Sequence, residues 1–128
     1  MTIKKPKKEK EDVICGVYII HNKIDDKYYV GSSNNVKNRL MTHKRDLMRN
    51  SHNVRTLQND FNKHGEENFE FKIIDKNIEE EMLTAFEKCY MYKFHSMVRG
   101  KGYNQINSTV DYKKFKEAYN ILKSKGVI

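Results

Sequence analysis

The chain has 128 residues, which is enough for one domain with a single hydrophobic core. Its 25 lysines and arginines oppose 17 aspartates and glutamates, so the formal charge is +8. No apolar run approaches the ~20 residues that cross a bilayer, and the N-terminal segment lacks the apolar stretch of a secretory signal. These features exclude a membrane span and predict a cytoplasmic protein with an anionic partner. Nucleic acid is the leading candidate for that partner.

The two cysteines predict neither a disulfide framework nor a zinc centre. Cys15 and Cys89 lie far apart in the sequence and form no C-x-x-C pattern. Each is therefore expected to be a small buried apolar residue in a reducing compartment.

The N-terminal quarter of the chain predicts a tail followed by a hairpin. Residues 1–12 hold five lysines and three acids with no aromatic residue, which predicts a flexible basic tail. The segments 13–20 and 28–32 are rich in β-branched and aromatic residues, which are typical of strands. The polar turn 21–27 joins them, so the sequence predicts an antiparallel hairpin.

Helical periodicity dominates the middle of the chain. A first helix follows the N-cap candidates at 33–35 and ends near Asn50. A second helix is ended by Gly65, and alternating apolar residues then predict a third strand. The apolar residues that define these elements are Val36, Leu40 and Leu47 for the first helix, Val54, Leu57 and Phe61 for the second, and Phe69, Phe71 and Ile73 for the strand.

The last part of the chain predicts two more helices. A long helix opens with the acidic residues 79–81, where the helix dipole favours negative charge, and stops before Gly100. A basic helix is predicted over 111–125. The element order β-β-α-α-β-α plus a C-terminal helix predicts an α+β fold with a small three-stranded antiparallel sheet flanked by helices. We expect one domain over 13–106 and a short basic helical tail over 107–128.

Positive charge concentrates in the two central helices. The segment 36–64 carries seven basic residues against two acids, a net charge of +5 (seven minus two). Such a segment suits a phosphate-binding face, but it also suits two ordinary helices with solvated side chains, and charge alone favours neither. The residues assigned to DNA binding are Arg39, Lys44, Arg45, Arg49, His52, Arg55 and Lys63.

Arg39 and His43 are four residues apart, so they share one side of the first helix. They adjoin its apolar stripe, and we expect both to be partly sheltered. A sheltered arginine beside a histidine suits a phosphate, because the guanidinium fork matches phosphate oxygens. Alternatively, Arg39 pairs with a carboxylate and His43 is a satisfied edge residue.

Glu87 is unusual for its position on the long helix. Its helical neighbours Leu83, Tyr90 and Met91 are apolar or aromatic. A carboxylate among such neighbours is costly unless another group satisfies it. A divalent cation would do so, and so would a lysine or an arginine.

The two predicted hairpin strands carry the most specific signal. Gly16-Val17-Tyr18 and Tyr29-Val30-Gly31 resemble the two-part motif of the GIY-YIG nuclease family, with valine in place of isoleucine in each half. The resemblance extends over about 14–106 and is closest to phage-type homing endonuclease catalytic domains. The further matching elements are Arg39, His43, the segment 61–71, Glu87 and Gly102-Tyr103-Asn104.

The resemblance implies a role for each matched residue in phosphodiester hydrolysis. Tyr18 would be the general base, although a phenol with a pKa of ~10 needs surroundings that lower this value. A cation, a metal-bound water or His43 could do so. Glu87 would bind one Mg²⁺, for which Mn²⁺ can substitute. The other implied roles are orientation of phosphate or water for Tyr29, charge stabilisation for Arg39, a proton relay or support of Tyr18 for His43, orientation of the site for Asn104, and an additional active-site histidine for His52.

Taken one at a time, these residues have ordinary structural explanations. Hairpin tyrosines commonly pack across strands, and Asn104 after Gly102 suits a turn. The ordered set favours the catalytic interpretation. His21, His64 and His95 are expected to be surface or capping residues and not catalytic.

The family resemblance implies a divalent-metal-dependent DNA endonuclease, either homing-type or a free-standing phage nuclease that acts in the host cytoplasm. The alternatives are a non-catalytic basic DNA-binding module and a small restriction or repair nuclease of the same fold. A single active site cuts one strand at a time, so double-strand cleavage would use a homodimer or a tethering partner. Because 24 residues follow Asn104 (128 minus 104), recognition of a long site is not expected.

Overall fold

The computed structural model describes residues 13–105 and 109–128. The predictions for the tail 1–12 and for the domain boundary at 106/107 lie outside the described residues. The elements are β1 (Gly16–Asn22), β2 (Lys27–Ser33), α1 (Val36–Met48), α2 (Arg55–His64), β3 (Phe69–Asp75), α3 (Leu83–Phe94) and α4 (Tyr112–Ser124), with short 3-10 turns at Glu66–Asn68 and Glu80–Met82. Within these ranges no helix has the length and apolar character to cross a membrane.

The three strands form one antiparallel sheet in the order β2-β1-β3. In the hairpin, Tyr18 lies opposite Gly31 and Ile20 lies opposite Tyr29. A register shift against β3 falls between Val17 and Tyr18. The predicted fold class, α+β with a three-stranded antiparallel sheet flanked by helices, is confirmed.

The central strand feeds a separate apolar cluster on each side of the sheet, because successive side chains point to opposite faces. Val17 and Ile19 pack with α3 and α4, whereas Ile20 packs with α1 and α2. The buried members of the first cluster include Val30, Phe86, Cys89 and Leu122, and those of the second include Leu47, Leu57, Phe61 and Tyr103. Tyr18 shares its parity with Ile20 and therefore points to the α1 side.

The predicted ends of α1 and α2 have the expected local chemistry. The Asn35 side chain accepts a hydrogen bond from the Asn38 N–H and so caps the start of α1. Gly65 follows α2 at φ 88°, a left-handed conformation that glycine adopts at low cost. The second helix therefore stops where the sequence predicted.

The hairpin differs from its predicted form because β1 starts later and runs further. It extends through Asn22, and the Asn22 side-chain oxygen accepts hydrogen bonds from the N–H groups of Ile24 and Asp25. This asparagine closes a turn shorter than the predicted 21–27. His21 therefore lies in β1, where its ring stacks on Tyr28, and not in the turn.

The long helix is shorter than predicted at both ends. The acidic residues 79–81 lie at a 3-10 turn, and the α-helix begins only at Leu83. It ends at Phe94, because His95 adopts a left-handed conformation at φ 54°. Cys89 is buried as expected, but Cys15 is only partly buried, so the expectation for Cys15 was wrong.

The C-terminal helix packs against the body of the domain. The Asp111 side chain caps α4 by accepting hydrogen bonds from the N–H groups of Lys113 and Lys114. Ala118 and Leu122 are buried in the cluster that contains α3. The helix predicted over 111–125 is therefore present and contributes to the core.

Candidate active site

One pocket of about 300 Å³ opens between the hairpin, α1 and α3. It collects side chains from four separate parts of the chain, because β1 and β2 supply the tyrosines, α1 supplies Arg39 and His43, and α3 supplies Glu87. The other lining residues are Gly31, Ser32, Thr42, Asp46, His52, Asn53 and Val54. Of the six residues predicted as catalytic, five line this pocket.

The strand register places the two motif tyrosines together. Tyr18 is buried at 2% exposure, and its ring centroid lies 6.4 Å from that of Tyr29. A Cβ atom at Gly31 would overlap the Tyr18 ring and hydroxyl, and one at Gly16 would overlap the Asp75 carbonyl. The motif glycines therefore leave the room that the tyrosine and the strand pairing need.

Two histidines extend from Tyr18 in a hydrogen-bonded row. The Tyr18 hydroxyl lies 2.6 Å from His43 Nε2, and His43 Nδ1 lies 2.7 Å from His52 Nε2. At the far end, the Val54 N–H donates to His52 Nδ1 at 3.0 Å. The backbone N–H of His52 in turn donates to the side-chain oxygen of the buried Gln58. The start of α2 therefore holds the row in place.

Burial shifts the pKa values in this row away from the charged forms. It lowers the pKa of His43 to about 4, with help from the neighbouring His52 and Arg39 charges. Burial likewise lowers the pKa of His52. The pKa of Tyr18 is raised by burial first and then by Tyr29 and Glu87, although Arg39 acts against this shift. Both histidines are therefore neutral near pH 7. Arg39 is a cation that lowers the Tyr18 pKa, but the net shift of that pKa is upward.

Glu87 lines the same pocket as the two histidines and is half-buried. The Ser32 hydroxyl donates to its carboxylate at 3.0 Å, and no other described residue forms a hydrogen bond or a salt bridge with that carboxylate. Burial raises the pKa of Glu87, while Ser32, Lys88 and Arg39 lower it. Of the two ways to satisfy this carboxylate, a direct lysine or arginine partner is thus not seen among the described residues.

A single carboxylate beside a hydroxyl suits Mg²⁺, which binds proteins through one or two carboxylates and keeps water or phosphate oxygens as its other ligands. Glu87 is accessible from the pocket and has acceptor capacity beyond its Ser32 bond. The residues present therefore fit the Mg²⁺ ion that the family resemblance implies at Glu87.

A family model of the GIY-YIG catalytic domain matches residues 14–104, which include every residue that frames this pocket. The chain belongs to the GIY-YIG family. The resemblance stated from the motif residues is thereby confirmed.

Two solved structures and one curated relative are similar to this GIY-YIG chain. Intron-associated endonuclease 1 of Enterobacteria phage T4 is 33% identical over 95 residues, which cover 73% of this chain and 38% of that protein. The chain therefore spans about two fifths of that relative's length. The catalytic domain of the intron endonuclease I-TevI, solved as a point mutant, matches with a TM-score of 0.65 at 30% identity, covering 77% of this chain and 99% of that one. A second structure of the catalytic domain of the homing endonuclease I-TevI gives 0.64 at 31% identity, covering 73% and 99%.

Asn104, at the end of the GIY-YIG match, lies beside the pocket and not in it. Its side-chain oxygen accepts from the Val30 N–H and its amide nitrogen donates to the Val30 carbonyl, both at 2.8 Å. The side chain thus pairs with β2 as a backbone would. A neighbouring cavity joins Asn104 to Tyr29 and Glu87. The geometry makes Asn104 a support for β2 next to the two site residues.

Of the seven residues assigned to DNA binding, two line the pocket and five lie outside it. Arg39 lines the pocket but is exposed, so the expectation that it would be partly sheltered was wrong. His52 is 4% exposed and lies inside the pocket wall. Lys44 forms an exposed salt bridge with Glu66 at 3.0 Å. The remaining residues are exposed on α1, at its C-terminal cap and on α2, and they are Arg45, Arg49, Arg55 and Lys63.

Sequence reasoning missed several polar groups that support the GIY-YIG site. Ser32 directly follows the second half of the motif, and that position was its only signal. Gln58 is fully buried on the apolar side of α2 and donates to the Leu47 carbonyl. A glutamine next to the periodic apolar residues of α2 could have signalled a buried hydrogen-bond partner.

A second group that could hold an ion lies elsewhere in the described part of the chain. Asp25, Asp60 and His64 bring ligand atoms within 4.8 Å of one another. His64 pairs with Asp25 at 2.7 Å, while Asp60 accepts from Tyr103 at 2.7 Å and from Lys27 at 3.3 Å. Each of these three side chains already has a hydrogen-bond or ionic partner, and Lys27 supplies a positive charge beside Asp60. The cluster therefore links the hairpin to α2 without an ion.

Proposed function

We propose that this chain is a divalent-metal-dependent DNA endonuclease that hydrolyses phosphodiester bonds. The observation that carries the proposal is the meeting of Tyr18, Arg39, His43 and Glu87 in one pocket, from strands and helices that are distant in sequence. The similarity to endonuclease catalytic domains supports it. Phosphodiester hydrolysis requires activation of water and stabilisation of charge on the phosphoryl oxygens, and these residue types supply both.

Arg39 is the proposed ligand of the scissile phosphate. Its exposed guanidinium reaches the pocket from α1, so a nucleic-acid strand can approach it without entering the core. The guanidinium fork can bind two phosphoryl oxygens and stabilise the charge that develops on them. Tyr29, half-buried beside Tyr18, is placed to orient the phosphate or the attacking water through its hydroxyl.

Tyr18 is the proposed general base, and its environment sets a condition on that role. It can take a proton from the attacking water only as the phenolate, which its raised pKa makes scarce at neutral pH. Positive charge near the hydroxyl increases the phenolate fraction, and Arg39 already acts in that direction. In-line attack then requires water between Tyr18 and the phosphate held by Arg39.

Glu87 is the proposed ligand for Mg²⁺ or Mn²⁺, with Ser32 orienting its carboxylate. When bound there, the ion supplies positive charge next to the phosphoryl oxygens. The exposed basic residues of α1 and α2 supply weaker contacts to flanking phosphates.

Two wider aspects of the proposal follow from the chemistry. One pocket cuts one strand at a time, so double-strand cleavage would use a second copy of the chain or a tethering partner. DNA as the substrate and a phage-encoded relative support action in a host cytoplasm. A homing-type or free-standing phage nuclease is the form we favour over a restriction or repair enzyme.

The test is cleavage of supercoiled plasmid DNA by the purified chain, with Mg²⁺ or with EDTA. We expect nicked or linear product with Mg²⁺ only, and loss of product in Arg39→Ala. Arg45→Ala, at an exposed arginine of the same helix that is assigned only a flanking-phosphate contact, is the comparison variant and should lose much less activity. No product across several DNA substrates and divalent ions, with DNA binding intact, would instead identify a non-catalytic DNA-binding module. Equal cleavage by Arg39→Ala and Arg45→Ala would refute the site assignment.

A further inference from the structure

The row of hydrogen bonds that ends at Tyr18 begins at a group that can only donate. The Val54 N–H points at His52 Nδ1 across 3.0 Å, so that nitrogen accepts and carries no proton. His52 is buried at 4% exposure, and its pKa is lowered by that burial. A neutral His52 therefore carries its one proton on Nε2.

The position of the His52 proton fixes the position of the His43 proton in turn. The His52 Nε2–H faces His43 Nδ1 at 2.7 Å, so His43 Nδ1 is the acceptor. The one proton of a neutral His43 must then lie on Nε2, which is 2.6 Å from the Tyr18 oxygen. A second proton on His43 would set two N–H groups face to face. This conflict agrees with a His43 pKa lowered to about 4.

We infer that Val54 and His52 hold His43 in the Nε2–H tautomer, so that His43 donates a hydrogen bond to the Tyr18 oxygen and cannot accept the Tyr18 proton. His52 is then a positioning residue that acts through His43. Of the two roles that the sequence left open for His43, support of Tyr18 is assigned and the proton relay is not. The inference rests on the proposed function only for its meaning in catalysis, since the tautomer itself is a property of the free protein.

The assignment gives the Tyr18 proton a direction. With its oxygen accepting from His43, the Tyr18 O–H points away from that histidine, towards the pocket that Arg39 and Glu87 line. The phenol therefore releases its proton to a water molecule on the open side, and the His43 N–H stabilises the phenolate left behind. Tyr18 thus loses its proton while His43 stays neutral and keeps its hydrogen bond to the Tyr18 oxygen.

The test is a long-range ¹H–¹⁵N correlation spectrum of the full chain labelled in histidine, recorded without DNA or metal near pH 7.5. Protonated and unprotonated ring nitrogens have well-separated ¹⁵N shifts, so each tautomer is read directly. We expect His43 and His52 both to show a protonated Nε2 and an unprotonated Nδ1. A protonated Nδ1 on His43 in the parent protein would overturn the inference.

Two nearly isosteric variants test whether His52 sets the tautomer. His52→Gln keeps an N–H donor towards His43, so the His43 signals should stay in the Nε2–H pattern. His52→Glu offers only an acceptor, so His43 Nδ1 should gain a proton and its ¹⁵N signal should move to the protonated range. An unchanged His43 signal in folded His52→Glu would refute the role of His52.

The NMR spectra test the His43 tautomer, and the cleavage assay tests the nuclease proposal, so either result can be negative without the other. If the parent chain cuts no DNA but shows the expected tautomers, the proposed function is wrong and the hydrogen-bond row stands. If the chain cuts DNA but His43 carries a proton on Nδ1, the nuclease proposal stands and the positioning role does not.

Discussion

The two sides of the candidate pocket differ in how many of their side chains are fixed by hydrogen bonds. On the histidine side, defined by Tyr18, His43 and His52, every ring has a hydrogen-bond partner, and the row is tied to the backbone of α2. On the carboxylate side, defined by Glu87 and Ser32, a single hydrogen bond is present among the described residues. Burial raises the pKa of this carboxylate because desolvation disfavours its charged form, and a bound cation would offset that desolvation.

This difference teaches which parts of the chemistry the chain supplies by itself. The histidine side has its geometry and protonation set by the fold, so it is preorganised in the absence of substrate. The carboxylate side holds the proposed metal ligand, so it should respond to metal, to pH and to neutralising substitutions. Changes on the two sides are thus expected to have different signatures.

The largest effect is expected for Glu87→Gln, which removes the charge from the carboxylate side and keeps its shape. We expect cleavage to fall by ~10³-fold or more, because several kcal/mol of metal-dependent charge stabilisation is lost. The thermal unfolding midpoint should stay the same or rise, since a half-buried carboxylate with a raised pKa is replaced by a neutral amide. Single-turnover cleavage and calorimetry measure the two effects, with Glu79→Gln as an exposed control. A large loss of stability would mean that Glu87 has a structural role instead.

Tyr18→Phe breaks the histidine side while retaining the buried ring. Loss of a general base lowers turnover by ~10²–10⁴-fold, so a decrease in that range is expected with metal dependence and DNA affinity preserved. Tyr92→Phe, at a tyrosine that is 61% exposed, is the matched control. Cleavage by Tyr18→Phe at the parent rate would remove Tyr18 from the reaction and leave its role as packing.

Ser32→Ala should have a moderate effect confined to the carboxylate side. The hydroxyl orients Glu87 and lowers its pKa, so its removal should raise the Mg²⁺ concentration needed for half-maximal cleavage by ~10-fold. The rate at saturating Mg²⁺ should change little. A Mg²⁺ titration measures both quantities, and an unchanged titration curve would show that Ser32 does not act on the ion.

The last effect is on the pH dependence of stability and comes from the histidine side. His43 has a native pKa of about 4, below its ordinary value of 6.5, so the unfolded chain gains a proton in this range that the native chain resists. The free energy of unfolding should therefore fall as the pH drops from about 6.5 to about 4, and this contribution should level off below. Urea unfolding of the parent and of His43→Gln checks this, and equal pH slopes for the two proteins would contradict it.

The sequence predicted the parts of the site that depend on local pattern and order. The strand-forming segments on either side of a polar turn predicted the hairpin, and the observed register then places Tyr18 opposite Gly31. The features that it did not predict arise between residues distant in the chain. The Ser32–Glu87 bond joins residues 55 positions apart, and the direction of the Tyr18 pKa shift depends on burial that no motif encodes.

Exposure was the other quantity that local pattern misjudged. Arg39 was expected to be sheltered because it adjoins the apolar stripe of α1, but only Val36 and Leu47 of that helix are buried. An exposed Arg39 is better suited to meeting a DNA strand than a sheltered one.

The central claim is that metal binds on the carboxylate side while the histidine side is already set. The most direct measurement is paramagnetic broadening by Mn²⁺ in the NMR spectrum of Tyr18→Phe bound to a DNA duplex, since this variant should bind without cutting. We predict the strongest broadening at Glu87 and Ser32. Broadening centred instead on Asp25, Asp60 and His64, with Glu87 unaffected, would contradict the account.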